Sequence, residues 1–253
     1  MGEIGLEQRD GVAVISLMAP QRRNALDPAM ARELDDVCEA VDRDPSIGAA
    51  VIRGEGGHFC AGAVRQVLAD AGQDPAHPDA YAAIGSVYEA FARFGRLAVP
   101  TVAAVCGAAV GAGINLLLAA DLRVVAEDAR IMAGFQRIGM HPGGGHFVLL
   151  SRTGGREATA ALALFGEEVD GRQAQAIGLA WKAVPTDQVD ALAFELASRP
   201  AKDPELARAT VKSFRNEVGP PAVSWPVALE AERAAQMWSL RRRTVAEEAA
   251  PSA

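Results

Sequence analysis

Residues 101–121 read TVAAVCGAAVGAGINLLLAAD. The stretch follows Pro100 and falls into three parts. Residues 102–105 form a short apolar run, the pattern of a buried strand. Residues 107–113 form a small-residue turn with glycines at 107, 111 and 113. Residues 114–120 read as an apolar helix that stops at Asp121. Glycine lets one backbone approach another, or a ligand, where a Cβ would intrude. A helix start offers unsatisfied N–H groups and the positive end of the peptide dipole. Strand, glycine turn and helix N-terminus together can hold developing negative charge.

Other readings compete. Residues 101–120 carry no charge and have the length of a membrane span, with Gly107 and Gly111 as a GxxxG pair. The segment is mostly Ala and Gly, contains Asn115 and is the only such run in the chain, which argues against a span. A nucleotide loop lacks both GxxxxGK and GxGxxG spacing. A buried strand–turn–helix without chemistry is the plain alternative.

The 253 residues suffice for a full core. Half of them hydrophobic and 23% charged is the balance of a soluble globular protein. A net charge of −7 argues against nucleic acid and against an anionic membrane surface as partners. Cys38, Cys60 and Cys106 lack metal-ligand spacing, so no metal site is expected. No signal peptide is legible, so a cytoplasmic location with reduced thiols is expected, with Cys60 and Cys106 as small apolar fillers.

Outward from the central stretch, residues 4–8 and 12–17 alternate as strands around an Asp10-Gly11 hairpin signal. Asp27-Pro28 starts a helix, with Leu34, Val37, Cys38 and Val41 as its apolar face. Residues 49–52 form a buried strand, and 59–63, Phe-Cys-Ala-Gly-Ala, repeat the grammar of the glycine turn. Residues 64–79 are polar and turn-rich and read as a mobile surface loop. A helix over 81–94, strands at 122–126 and 130–135, a glycine loop at 139–145, helices near 155–165 and 170–177, and a strand at 180–184 follow. Beyond Pro185 the chain turns helical over about 187–198, 203–216 and 226–240, with a frayed tail from 247. Alternating strands and helices with a helical end place the chain in the α/β class.

Pro20-x-x-Arg-Asn-Ala-Leu, Val51-Ile-x-Gly54 with Phe59-Cys-Ala-Gly-Ala63, Pro100 through Gly113, Asp121-Leu-Arg and Gly139-x-x-Pro-Gly-Gly-Gly145 occur in this order. Together they resemble the enoyl-CoA hydratase/isomerase family, the crotonase superfamily, over nearly the whole chain. The resemblance implies a crotonase-like spiral of ββα repeats with two roughly perpendicular sheets over 1–195. It implies a helical C-terminal region over 196–253 that builds homotrimers, often paired into hexamers. It implies an acyl-CoA substrate, with coenzyme A part of that substrate and no separate cofactor. The thioester carbonyl would meet the backbone N–H groups of Ala63 and Ala112, with Gly62 and Gly111 in the same turns. The CoA would lie with its adenine near the Ala61 backbone and the 23–25 segment, Ala25 included. Arg23 would meet a phosphate or simply be a solvated arginine, and Arg22 competes for the role.

The pattern breaks at the chemistry. The two glutamates that family hydratases use as acid and base correspond to Asn115 and Phe135. Asn hydrogen-bonds but does not titrate, and Phe makes the wall apolar. Ordinary hydration is therefore expected to be impaired, since each positioned acid or base supplies about 10²–10⁴-fold. His141 in the 139–145 loop is a candidate replacement, against a reading as a loop histidine bonded to backbone. His146 opens a helix, where a charge would oppose the dipole, so a neutral structural role is expected. His58 and His77 read as surface residues, and Asp121 as a turn-stabilising carboxylate. Arg241 to Arg243 either contact CoA phosphates or end a solvated helix, and Trp225, Met237 and Trp238 read as packing or subunit contacts. The expected function is an enzyme working through an enolate-like state, by isomerisation, thioester or C–C hydrolysis, or weak hydration. A catalytically silent acyl-CoA binder is the alternative, and a ligand-free structural oligomer a third.

Overall fold

The computed structural model describes residues 2–218 and 224–248. β1 (Ile4–Arg9) and β2 (Val12–Leu17) form an antiparallel hairpin. Asp10 and Gly11 join them at φ 49° and 76°, the pair of positive φ values that a two-residue turn requires. Asp27 then caps α1 (Pro28–Arg43), its carboxylate accepting from the N–H groups of Ala29 and Met30. Met30, Leu34, Cys38 and Val41 bury one face of this helix.

β3 (Ala49–Gly54) follows, then α2 (Arg65–Gln73) and α3 (Pro78–Gly95). β4 (Thr101–Val105), β5 (Ala108–Val110) and α4 (Ala112–Ala119) make one complete ββα turn. β6 (Leu122–Ala126), β7 (Arg130–Met132) and α5 (His146–Thr159) make the next. β8 (Glu168–Val169), α6 (Gly171–Ala176) and β9 (Lys182–Val184) lead into the helices α7 (Val189–Ser198), α8 (Pro204–Val218) and α9 (Trp225–Glu248).

The large sheet runs β1-β2-β3-β4-β6-β9, and the small one β5-β7-β8. Every pairing in the large sheet after the first hairpin is parallel. β4 lies inside that sheet and every one of its residues is buried, so it reads as a continuous apolar run and not as an alternation. The strand of the first repeat that would belong to the small sheet is reduced to a bridge between Cys60 and Ala109.

Several expectations need correction. The 107–113 segment is not turn alone, because its middle residues form β5 and pair with β7. The 64–79 segment is not a loop. Leu68, Ala71 and Gly72 of α2 are buried, and α9 packs along this helix and along α3. An apolar face of three small positions is legible only once its cover is known. The helix expected near 155–165 is the end of α5, kinked where Gly155 sits at φ 75°, continued by a single wide turn over Ala160–Leu164.

The C-terminal helices are tied to the sheets. α7 lies against β3, β4 and β6. Arg208 of α8 donates to the carbonyls of Val41, Asp42, Asp44 and Ile47, at 2.7–3.2 Å, capping the end of α1. Arg215 pairs with Asp121 at 2.7 Å, and Asp121 also accepts from the N–H and hydroxyl of Thr101. Asp121 is the structural carboxylate that its position implied. Trp225 stacks on Phe91 with ring centroids 6.3 Å apart, so it is a packing residue within the chain.

Candidate active site

The site begins where two small-residue segments run side by side. Cys60 N–H donates to Ala108 O at 3.1 Å, and Val110 N–H donates to Cys60 O at 3.0 Å. A Cβ at Gly113 would collide with the Cys60 carbonyl, so only glycine allows this approach. Gly62 sits at φ 95°, and a Cβ there would stand 2.8 Å from Val110 O and 3.5 Å from Ala112 N. The two turns are therefore in contact at Gly62 and Ala112.

A third segment buttresses them. Leu26 N–H donates to Gly62 O, Val64 N–H to Leu26 O, and Ala61 N–H to Arg23 O, at 2.7–2.9 Å. Buried Asn24 locks this segment. Its Oδ1 accepts from Ala19 N–H, and its Nδ2 donates to the carbonyls of Glu55 and His58. Among the described residues, the N–H groups of Ala63 and Ala112 have no backbone carbonyl as acceptor. Ala112 is the first residue of α4, where the helix itself supplies none.

The two turns open on a cavity of about 380 Å³. Ala61, Gly62, Ala63, Gly111, Ala112, Asn115 and Phe135 all line it. Leu68, Ile84, Val87, Met132, Ile138 and Met140 make the rest largely apolar. Tyr88 and Gln236 add neutral polar groups, and the exposed Arg65 and Arg137 stand on the rim. Among the described residues, no carboxylate, histidine or thiol lines the cavity, and no His/Cys/Asp/Glu cluster could hold a metal.

Asn115 is 1% exposed. Its Nδ2 donates to Gly143 O at 2.9 Å, and its Oδ1 lies 2.8 Å from His146 Nδ1. The Phe135 ring meets the His146 ring edge-on at 5.0 Å. His146 is fully buried, and burial pushes its pKa down to about 3, so it is neutral at pH 7. The expected neutral role of His146 stands, and the hydrogen bond to Asn115 is what the sequence did not disclose. Burial likewise pushes the Cys60 thiol up to about 12, as fits a core filler.

Three candidates lie off the cavity wall. His141 Nδ1 is 2.6 Å from Pro142 O and its ring packs edge-on against Phe147, the backbone-bonded alternative. Arg23 and Ala25 lie behind Ala61, with Arg23 exposed and Ala25 buried. Arg22 does not compete, being held by Glu3 and Asp27. His58 is half-buried and accepts from Ala108 N–H at 3.4 Å, whereas His77 is exposed, as expected, and caps α3. Arg241 donates to Gln73 O, whereas the side chains of Arg242 and Arg243 lie outside the described residues. Tyr88 and Gln236 went unrecognised because each reads as one more position on a helix face. Only a helix assigned to the 64–79 segment, with α9 folded over it, would have pointed to them.

A spiral of ββα turns whose glycine bends converge on an apolar cavity is the crotonase architecture. The solved enoyl-CoA hydratase/isomerase of Xanthobacter autotrophicus superposes with a TM-score of 0.86 at 27% identity, over 97% of this chain and 91% of that one. The chain belongs to the enoyl-CoA hydratase/isomerase family, whose profile matches residues 7–232. It is 40% identical to the probable enoyl-CoA hydratase EchA14 of Mycobacterium tuberculosis over 83% of this chain and 80% of the relative. It is 32% identical to the 1,2-epoxyphenylacetyl-CoA isomerase of Escherichia coli over 81% and 79% respectively. It is thus an enzyme of the hydratase/isomerase class that acts on acyl-CoA. Among the described residues, no helix is long and apolar enough to cross a membrane.

Proposed function

We propose that the cavity takes the acyl group of a CoA thioester and that the N–H groups of Ala63 and Ala112 hold its carbonyl. The observation carrying this reading is the contact of the two glycine turns at Gly62 and Ala112, with both amides left without a carbonyl. Two donors aimed at one oxygen stabilise the negative charge of an enolate. Arg23, exposed beside Ala61, serves the phosphate end of CoA. With Asn115 and Phe135 on the wall and no carboxylate beside them, the enzyme stabilises the enolate but adds water poorly. Its reaction is then isomerisation or hydrolysis, with the proton carried by water, by substrate or by a group outside the usual pair. Self-association as a trimer or dimer of trimers is supported by exposed Leu164, Phe165 and Trp181, and a cytoplasmic location by free Cys38, Cys60 and Cys106.

Ala112→Pro tests the oxyanion role. Proline at the first helical position is compatible with the helix and replaces the N–H by the ring Cδ, so the donor is lost and the place of the oxygen is filled. Exchange of α-hydrogens of butyryl-CoA in D2O reports enolate formation whatever the final product. The variant is expected to lose about 10²–10³-fold in exchange rate with its melting temperature nearly unchanged. Exchange at the wild-type rate would remove Ala112 from the site. Thioester binding with no exchange in the wild type would favour the silent binder, a reading favoured by the absence of any carboxylate or histidine on the cavity wall.

A further inference from the structure

Asn115 and His146 come from different helices, and His146 meets Asn115 from behind the cavity wall that Asn115 lines. Gly143 O can only accept a hydrogen bond, so the amide nitrogen of Asn115 faces it at 2.9 Å. The amide oxygen is thereby turned to His146, whose Nδ1 carries the proton that it accepts. A flipped amide would set oxygen against the Gly143 carbonyl and NH2 against the ring N–H, losing both bonds in a buried place. Oδ1 is thus directed at His146 inside the protein, and Nδ2 keeps a second hydrogen.

Asn115 borders the cavity one helical turn after Ala112. Its side-chain amide therefore stands beside the part of an acyl chain that follows a carbonyl held at Ala112. The geometry points to a site that offers a fixed N–H donor beside the thioester and so selects 3-oxoacyl-CoA over unsubstituted acyl-CoA, with His146 as the residue that holds the donor in place. The inference rests on the proposed acyl-CoA reading of the cavity.

The surroundings agree with this assignment. Phe135 closes the side of the His146 ring, edge-on. A Cβ added to Gly143 would strike both the Tyr88 hydroxyl and Gln236 Oε1. The same stretch of wall therefore collects neutral polar groups and no ionised acceptor that would repel a ketone oxygen. His146 remains neutral through the working pH range because burial opposes its charge, so its donor nitrogen does not change with pH. A charged ring at the first position of α5 would also oppose the helix dipole.

Calorimetric titration with 3-oxobutyryl-CoA and butyryl-CoA tests the proposal. The wild type is expected to bind the 3-oxo thioester about tenfold more tightly, the worth of one buried hydrogen bond. In His146→Leu the ratio falls to within about twofold, because the amide is then held only through Gly143 O and its buried oxygen has lost its donor. In His146→Gln, whose amide can donate in place of the ring, most of the preference returns. A wild-type ratio near one, or a ratio unchanged in His146→Leu, overturns the inference while leaving the acyl-CoA reading intact. If the wild type binds neither thioester, the acyl-CoA reading fails and this one with it. Nitrogen NMR of the unmutated protein gives a check independent of any variant's folding. A protonated Nδ1 with an unprotonated Nε2 on His146 supports the assignment, and the opposite tautomer refutes it.

Discussion

His146 gives the chain a stability term with a definite sign. The ring is fully buried with burial as the sole cause of its shift, from 6.5 down to about 3. Its contacts include the Asn115 amide and the Phe135 and Phe147 rings. The folded pKa lies below the unfolded one, so between those values only the unfolded chain takes up the proton. The stabilisation from a neutral His146 is complete above pH 6.5 and is lost as pH falls toward 3. Between pH 7.5 and pH 5 the linkage integral for this shift comes to about 2 kcal/mol. Urea unfolding at both pH values measures it, and His146→Gln separates it from the carboxylates that titrate in the same window. The wild type should lose about 2 kcal/mol more than His146→Gln across the interval. Equal losses in the two proteins, or a ring that titrates near its ordinary value by NMR, would refute the argument that burial alone holds this histidine neutral.

Placing glutamates at both positions of the proposed lost pair, Asn115→Glu with Phe135→Glu, should raise crotonyl-CoA hydration by at least about 10²-fold, because one positioned acid or base is worth that much. A folded double variant with no gain in a hydration assay would show that the missing pair is not what limits the reaction. Gly113→Ala drives a Cβ into the Cys60 carbonyl. Relieving that clash should cost about 1–3 kcal/mol, read as a lower melting temperature, and should weaken acyl-CoA binding by parting the two turns. Unchanged melting and binding would mean that their close approach is not required.

Local signals were legible wherever the cause was local. Asp10-Gly11 specified the hairpin because the turn type needs two positive φ values. Asp27-Pro28 specified the start of α1 because the cap is a contact between neighbours in sequence. The glycines at 62, 111 and 113 marked the two converging turns, since their effect is to remove a Cβ. α2 was missed because its buried face consists of Leu68, Ala71 and Gly72, too small a stripe to stand out among polar neighbours. That stripe has meaning only under α9, whose residues lie more than 150 positions away.

The sequence by itself determined the α/β class and the family. Those follow from residue type and short-range spacing, which the chain carries in one dimension. Only the tertiary structure decided that His146 is bonded to Asn115, that His141 does not line the cavity, and that Tyr88 and Gln236 share a corner with Gly143. A hydrogen-bond partner is set by distance in space, and the loop between β7 and α5 can bring either histidine to Asn115. Which of them arrives depends on how that loop packs against α4, and no local pattern records it.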